Sequence, residues 1–143
     1  VSVLIGPRML EAGASPYSVL LATTAVPAGY PSPAQDYFDG RLDLNEHLIA
    51  DITSTFIVRV TGHSMEGAGI SDGDELIVNR ALEPKDGSVV IAVLDGELTI
   101  KRLRVTRTGV VLQAENPKYP DIRVPAMSEL TIWGTATTCL HHL

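Results

Sequence analysis

Ser64 and Lys101 are the two residues whose types and settings could do chemistry together. Ser64 stands in Thr61-Gly62-His63-Ser64-Met65, after the strand formers Phe56 to Val60 and before the glycine-rich loop Glu66-Gly67-Ala68-Gly69-Ile70. A serine at a strand end, with Gly62 two places before it, has little bulk around it to obstruct a substrate backbone. Lys101 lies in the middle of a second strand-like run, Leu98-Thr99-Ile100-Lys101-Arg102. If these two side chains meet, they make a nucleophile and its base.

That chemistry sets a condition. A lysine accepts a proton only when neutral, and its amine ordinarily titrates near ~10.4; holding it half-neutral at pH 7 costs roughly 4.6 kcal/mol. Burial alone supplies an effect of that size. Side chains alternate faces along a strand, so Lys101 shares a face with Thr99, Leu103 and Val105, while Leu98, Ile100, Arg102 and Arg104 take the other. The apolar neighbours favour burial of Lys101, with the arginines projecting into solvent. The same pattern also fits an exposed cross-strand lysine, and Ser64 also fits a plain turn serine. A serine nucleophile further needs backbone N–H groups to receive an oxyanion, and the amides of His63 and Ser64 are the candidates.

The elements that must position these groups read as strands. Phe56, Val58 and Val60 alternate with Ile57, Arg59 and Thr61; Glu75 to Val78 follows the turn Ser71-Asp72-Gly73-Asp74. Ser88 to Leu94 reads as a fully buried strand. Asp95-Gly96 is a two-residue hairpin signal, because a type I′ turn needs positive φ at both positions. It leads into Glu97 to Val105, and further short runs are Val110 to Ala114, Ile122 to Val124 and Leu130 to Thr135. Strands and turns at this density describe a mainly β body, curled or sandwiched.

Upstream the pattern changes. Residues 1–34 hold only two charges, Arg8 and Glu11, and five of the chain's nine prolines, which precludes a long helix. They read as an extended arm, with Val19-Leu20-Leu21 as its best strand candidate. A secretory leader with Arg8 as its positive end fits poorly, because the apolar stretch from Val19 lies far from the arginine. Ser32-Pro33-Ala34-Gln35 looks like a helix start. Asp43-Leu44-Asn45-Glu46 looks like a second, with Glu46 closing a capping box and Leu44, Leu48 and Ile49 as an apolar face. Two short helices would separate arm from body.

Bulk properties exclude some functions. At 143 residues the chain has room for one real core, with 45% hydrophobic and 20% charged residues. A net charge of −6 disfavours direct nucleic-acid binding; Arg102, Arg104 and Arg107 form the one basic cluster. Cys139 is the single cysteine, so no intrachain disulfide exists, which suits the cytoplasm. No apolar run approaches the ~20 residues of a membrane span. No cofactor or metal is expected: Asp72, Asp74 and Glu75 read as a solvated turn without calcium-loop spacing. His63 is expected at the rim of the site, His47 on a helix surface, and Trp133 in the core or a dimer interface.

Taken in order and spacing, Gly62-His63-Ser64-Met65, the glycine-rich loop, Ile70-Ser71-Asp72-Gly73-Asp74-Glu75-Leu76-Ile77-Val78 and Asp95-Gly96-Glu97-Leu98-Thr99-Ile100-Lys101-Arg102 resemble the LexA/UmuD family of self-cleaving Ser-Lys proteins. The likeness runs from about Ala28 to the C-terminus. It implies a curled, highly twisted antiparallel body at residues 32–143 and a cleavable arm at residues 1–31. It also implies Ser64 as nucleophile, Lys101 as base and Ala28-Gly29 as the scissile bond. Tyr30-Pro31-Ser32-Pro33-Ala34, Asp36-Tyr37 and Leu42-Asp43-Leu44-Asn45 resemble the UmuD branch. The 28 residues before Gly29 leave no room for the winged helix-turn-helix of the LexA branch. The resemblance therefore implies an SOS-mutagenesis protein. Such a protein is a homodimer that a RecA–single-stranded-DNA filament stimulates to cleave itself, and that then joins a Y-family, UmuC-like polymerase for translesion synthesis.

The chain departs from the branch in places. Ala28 replaces the cysteine of the enterobacterial type, residues 1–27 match poorly, and Cys139-Leu140-His141-His142-Leu143 differs, its histidines reading as an appended remnant as readily as a site. The competing readings are a LexA-type or phage-type repressor fragment, a non-cleaving polymerase-binding module, and a signal peptidase. The last would need a membrane anchor.

Overall fold

The computed structural model of the protein describes residues 2–3, 18–22, 25–26, 28–30, 38–124 and 130–143. The chain divides into two units, Val1–Met9 with Asp51–Leu143, and Leu10–Ala50. In the first, strands β1 (Ser2–Val3), β4 (Thr55–Arg59), β5 (Glu75–Asn79), β6 (Val89–Leu94), β7 (Glu97–Thr106), β8 (Gly109–Gln113), β9 (Ile122–Val124) and β10 (Thr131–Leu140) form one open sheet. Its order is β1-β4-β5-β10-β6-β7-β8-β9, and every pairing is antiparallel. The fold is thus mainly β, as the strand runs indicate.

Alternation along the strands sends apolar residues to both faces, and both are covered. Ile91 belongs to a cluster with Val58, Met65, Leu76, Val78 and Ile100. Its neighbours Val90 and Ala92 on β6 join Leu103, Val110 and Leu112 in a second cluster. With a single short 3₁₀ turn, Glu66–Ala68, as the other regular element described in this unit, the cover comes from the sheet itself. A strand order that runs on without a break makes this a curled sheet rather than a sandwich of two.

The hairpins follow local sequence. Between β6 and β7, Asp95 has φ 51° and Gly96 φ 79°, the paired positive values of a type I′ turn. β10 is longer than the run Leu130 to Thr135 suggests. It inserts between β5 and β6, with register shifts at Ile132/Gly134 and Ala136/Thr138. Such shifts let one strand serve two partners in a bending sheet.

The second unit holds the hairpin of β2 (Ser18–Ala22) and β3 (Phe38–Asp43), followed by α1 (Leu44–Leu48). β2 contains the expected Val19-Leu20-Leu21 strand, whereas β3 was not foreseen because Asp39, Gly40, Arg41 and Asp43 give it no apolar alternation. Asp43 caps α1 by accepting from the Asn45 amide at 2.9 Å. The expected apolar face of α1 is not buried: Leu44 is exposed. The Ser32-Pro33 helix start lies outside the described residues.

The turn before β5 corrects another expectation. Asp74 is 3% exposed rather than solvated. Its carboxylate accepts from the Ser71 amide at 2.8 Å and from Cys139 Sγ at 3.3 Å, and pairs with His141 Nδ1 at 2.6 Å. The Ser71 hydrogen bond chiefly holds its pKa below the usual range, against the opposing pull of burial. His142 pairs with Glu75, so both tail histidines tie the end of β10 to β5.

Candidate active site

Ser64 lies in the connection from β4 to β5, held from several sides. Met65 next to it is 2% exposed and packs in the first core cluster. Its carbonyl accepts from Ala68 N at 3.0 Å and Ile70 N at 3.2 Å, which closes the glycine-rich loop. Gly62 has φ 93°, a left-handed conformation that favours glycine, and its amide donates to Asp72 Oδ1 at 2.8 Å. Met65 anchors the serine's C-terminal side and Gly62 sets the chain direction on its N-terminal side.

Lys101 comes from the buried middle of β7, where it is 8% exposed. Its Nζ is within hydrogen-bond distance of Ser64 Oγ at 3.2 Å, Thr99 Oγ1 at 3.1 Å and the Ile100 carbonyl at 3.1 Å. Burial pushes the Lys101 pKa down from the usual lysine range. Of the two alternatives the strand pattern left open, the buried lysine is the one the structure holds. Val60, Thr61, Gly62, Ser64, Met65, Leu98, Thr99 and Ile100 line a cleft of about 180 Å³ beside the pair.

Other expected site residues fall as follows. His63 is turned outward, its ring 59% exposed and 2.6 Å from Glu66. Among the described residues, the amides of His63 and Ser64 have no backbone acceptor. Ala28 and Gly29 are both exposed, in the Leu10–Ala50 unit. Arg102 is not simply a solvated arginine: it pairs with Glu115 at 2.6 Å and donates to the Gly87 carbonyl at 2.7 Å. Among the described residues no cluster of three or more metal-ligating side chains occurs, and no helix is long and apolar enough to cross a membrane.

Sequence reasoning missed Asp72, Glu115 and Asn116 as supports of the Ser64 loop. Asn116 Nδ2 donates to the His63 carbonyl at 2.8 Å, and the Glu115 carbonyl accepts from Gly67 N at 2.7 Å. Asn116-Pro117 announces a turn, but nothing local links it to a loop 53 positions earlier.

A buried amine within hydrogen-bond distance of a presented serine is an arrangement for nucleophilic chemistry. The model of the family described as Peptidase S24-like matches residues 20–137. The chain belongs to that family. Protein SamA of Salmonella typhimurium is 42% identical over 121 residues, 85% of this chain and 84% of SamA. Protein ImpA of Escherichia coli is 41% identical over 114 residues, 80% of this chain and 77% of ImpA. The LexA repressor of Delftia acidovorans is 43% identical over 111 residues, 78% of this chain and 49% of the repressor. Within the LexA/UmuD proteins this Peptidase S24-like chain is UmuD-like. Its family is one of serine peptidases that cleave themselves.

Proposed function

We propose that Ser64 and Lys101 are the nucleophile and general base of self-cleavage at Ala28-Gly29, a bond within the arm at residues 1–31 that precedes the body at 32–143. The observation that carries this is the 3.2 Å approach of Lys101 Nζ to Ser64 Oγ, with the amine buried. A neutral amine has two N–H donors and one lone pair. Thr99 Oγ1 and the Ile100 carbonyl take the two donors. The lone pair then faces Ser64, whose O–H donates to it.

Ser64 Oγ attacks the Ala28 carbonyl as its proton passes to Lys101 Nζ. The amides of His63 and Ser64 receive the oxyanion. The C–N bond breaks, Lys101 returns the proton to the departing Gly29 amine, and water hydrolyses the Ser64 ester with Lys101 again taking a proton. The cleft beside Ser64 has room for the Ala28 side chain.

The UmuD-like character supports the wider role. A RecA–single-stranded-DNA filament stimulates cleavage in the cytoplasm, and the processed homodimer becomes a subunit of a Y-family, UmuC-like translesion polymerase. Purified protein, incubated and run on a gel, should convert slowly to a fragment whose N-terminus is Gly29. Ser64→Ala and Lys101→Ala should each lower the rate by about 10⁶, because groups acting as a unit fail together. Cleavage that survives Ser64→Ala would remove the assignment.

A further inference from the structure

Asn116 is held at both ends. Its Oδ1 accepts from Lys118 N at 3.0 Å and its backbone carbonyl from Tyr119 N at 3.0 Å. With the oxygen end committed to an N–H, the amide nitrogen is left to face His63, and Nδ2 donates to that carbonyl at 2.8 Å. The neighbouring residue ties the same turn to both halves of the site. The Glu115 carbonyl accepts from Gly67 N at 2.7 Å, and its carboxylate accepts from Arg102 Nε at 2.6 Å, one residue from Lys101.

The carbonyl that Asn116 holds is not an arbitrary one. His63 C=O and Ser64 N–H belong to one peptide plane, and in a trans peptide they point in opposite directions. Fixing the carbonyl toward Asn116 therefore fixes the Ser64 N–H away from it. The same carbonyl also accepts from Glu66 N, but at 3.4 Å against 2.8 Å from Asn116, so Asn116 is the shorter of its two holds.

We propose that Asn116 is a positioning residue for self-cleavage, aiming the Ser64 amide at the oxyanion through the His63 carbonyl. This rests on the Ser64–Lys101 function proposed above and adds to it a residue from another hairpin. Asn116 touches no reacting atom. Its loss misaims a donor, and does not change the base.

The test compares wild type, Asn116→Ala and Asn116→Ser for first-order self-cleavage across pH, with a thermal melt of each. Asn116→Ser keeps a neutral oxygen that can accept from Lys118 N–H but is too short to bond the His63 carbonyl, so it keeps the turn and removes the clamp without adding a charge. Both variants should cleave about tenfold to a hundredfold more slowly at every pH, short of the ~10²–10³ that outright loss of such a donor costs. The midpoint of the pH profile should stay in place. Should Asn116→Ala fail to fold, Asn116→Ser decides by the same criteria. A rate within twofold of wild type in a folded variant, a shifted pH midpoint, or a loss that tracks the unfolded fraction would each overturn the proposal. A wild type that never cleaves, or Ser64→Ala that does, would overturn the underlying function as well.

Discussion

As the proposed base, Lys101 sets the pH at which self-cleavage should work. Below its folded pKa the amine is an ammonium with no lone pair; above it the amine is neutral. Burial lowers that pKa, so the neutral form is reached below the usual lysine range. The self-cleavage rate should therefore rise with pH, by about tenfold per unit on the ascending limb, and level off below ~10.4. A series of gels from pH 6 upward checks this, and a flat profile would contradict a lysine base. Cys139 titrates the other way. Burial, then Asp74 beside it, pushes its thiol up to about 11. At pH 8 it should alkylate far more slowly with iodoacetamide than a free cysteine, and at the ordinary rate in urea. Rapid labelling of the folded protein would show the Asp74 contact to be open.

Among the elements, the glycine-rich loop has the least tolerance. A Cβ on Gly67 would stand 2.4 Å from the Glu115 carbonyl oxygen, and backbone cannot swing aside as a side-chain tip would. Gly67→Ala should destabilise by about 1–3 kcal/mol and slow cleavage, because the loop must withdraw from the Glu115–Asn116 turn that supports Ser64. Thermal melting and the gel assay together test this; an unchanged melt would mean the loop is not bolted there. The hairpin elements were legible from residues alone: Asp95-Gly96 specified its turn by positive φ, and β6 its burial by an unbroken apolar run. β3 was not legible, because it lacks alternation, and α1 hides no face despite Leu44 and Leu48. In both, pairing and context outweigh local propensity.

At the scale of the molecule, the C-terminal strand is central. β10 lies between β5 and β6, so the two halves of the sheet meet on the last regular element of the chain. A chain ending before Thr131 should lose the cooperative melt and most β signal by circular dichroism. A truncated form that melts cooperatively would show that the halves associate without it. Ile91, fully buried on β6, gives a milder probe: Ile91→Ala should cost about 2–5 kcal/mol, read from urea unfolding.

What sequence determined here was the inventory. Ser64 after a strand, Lys101 within one, Gly62 two places before Ser64, and most strand runs follow from residue type and spacing alone. Tertiary structure decided which of these meet. β4, which leads to Ser64, and β7, which carries Lys101, are four places apart in the sheet, about 19 Å along a flat one at ~4.8 Å per strand. Yet the nitrogen and oxygen stand 3.2 Å apart. Only the curl of the sheet and the reach of the Ser64 loop close that gap. The same closure buries the amine and brings Asn116 to His63, and the pairing of β10 with β5 encloses Asp74, since burial belongs to the assembled sheet and not to any one strand.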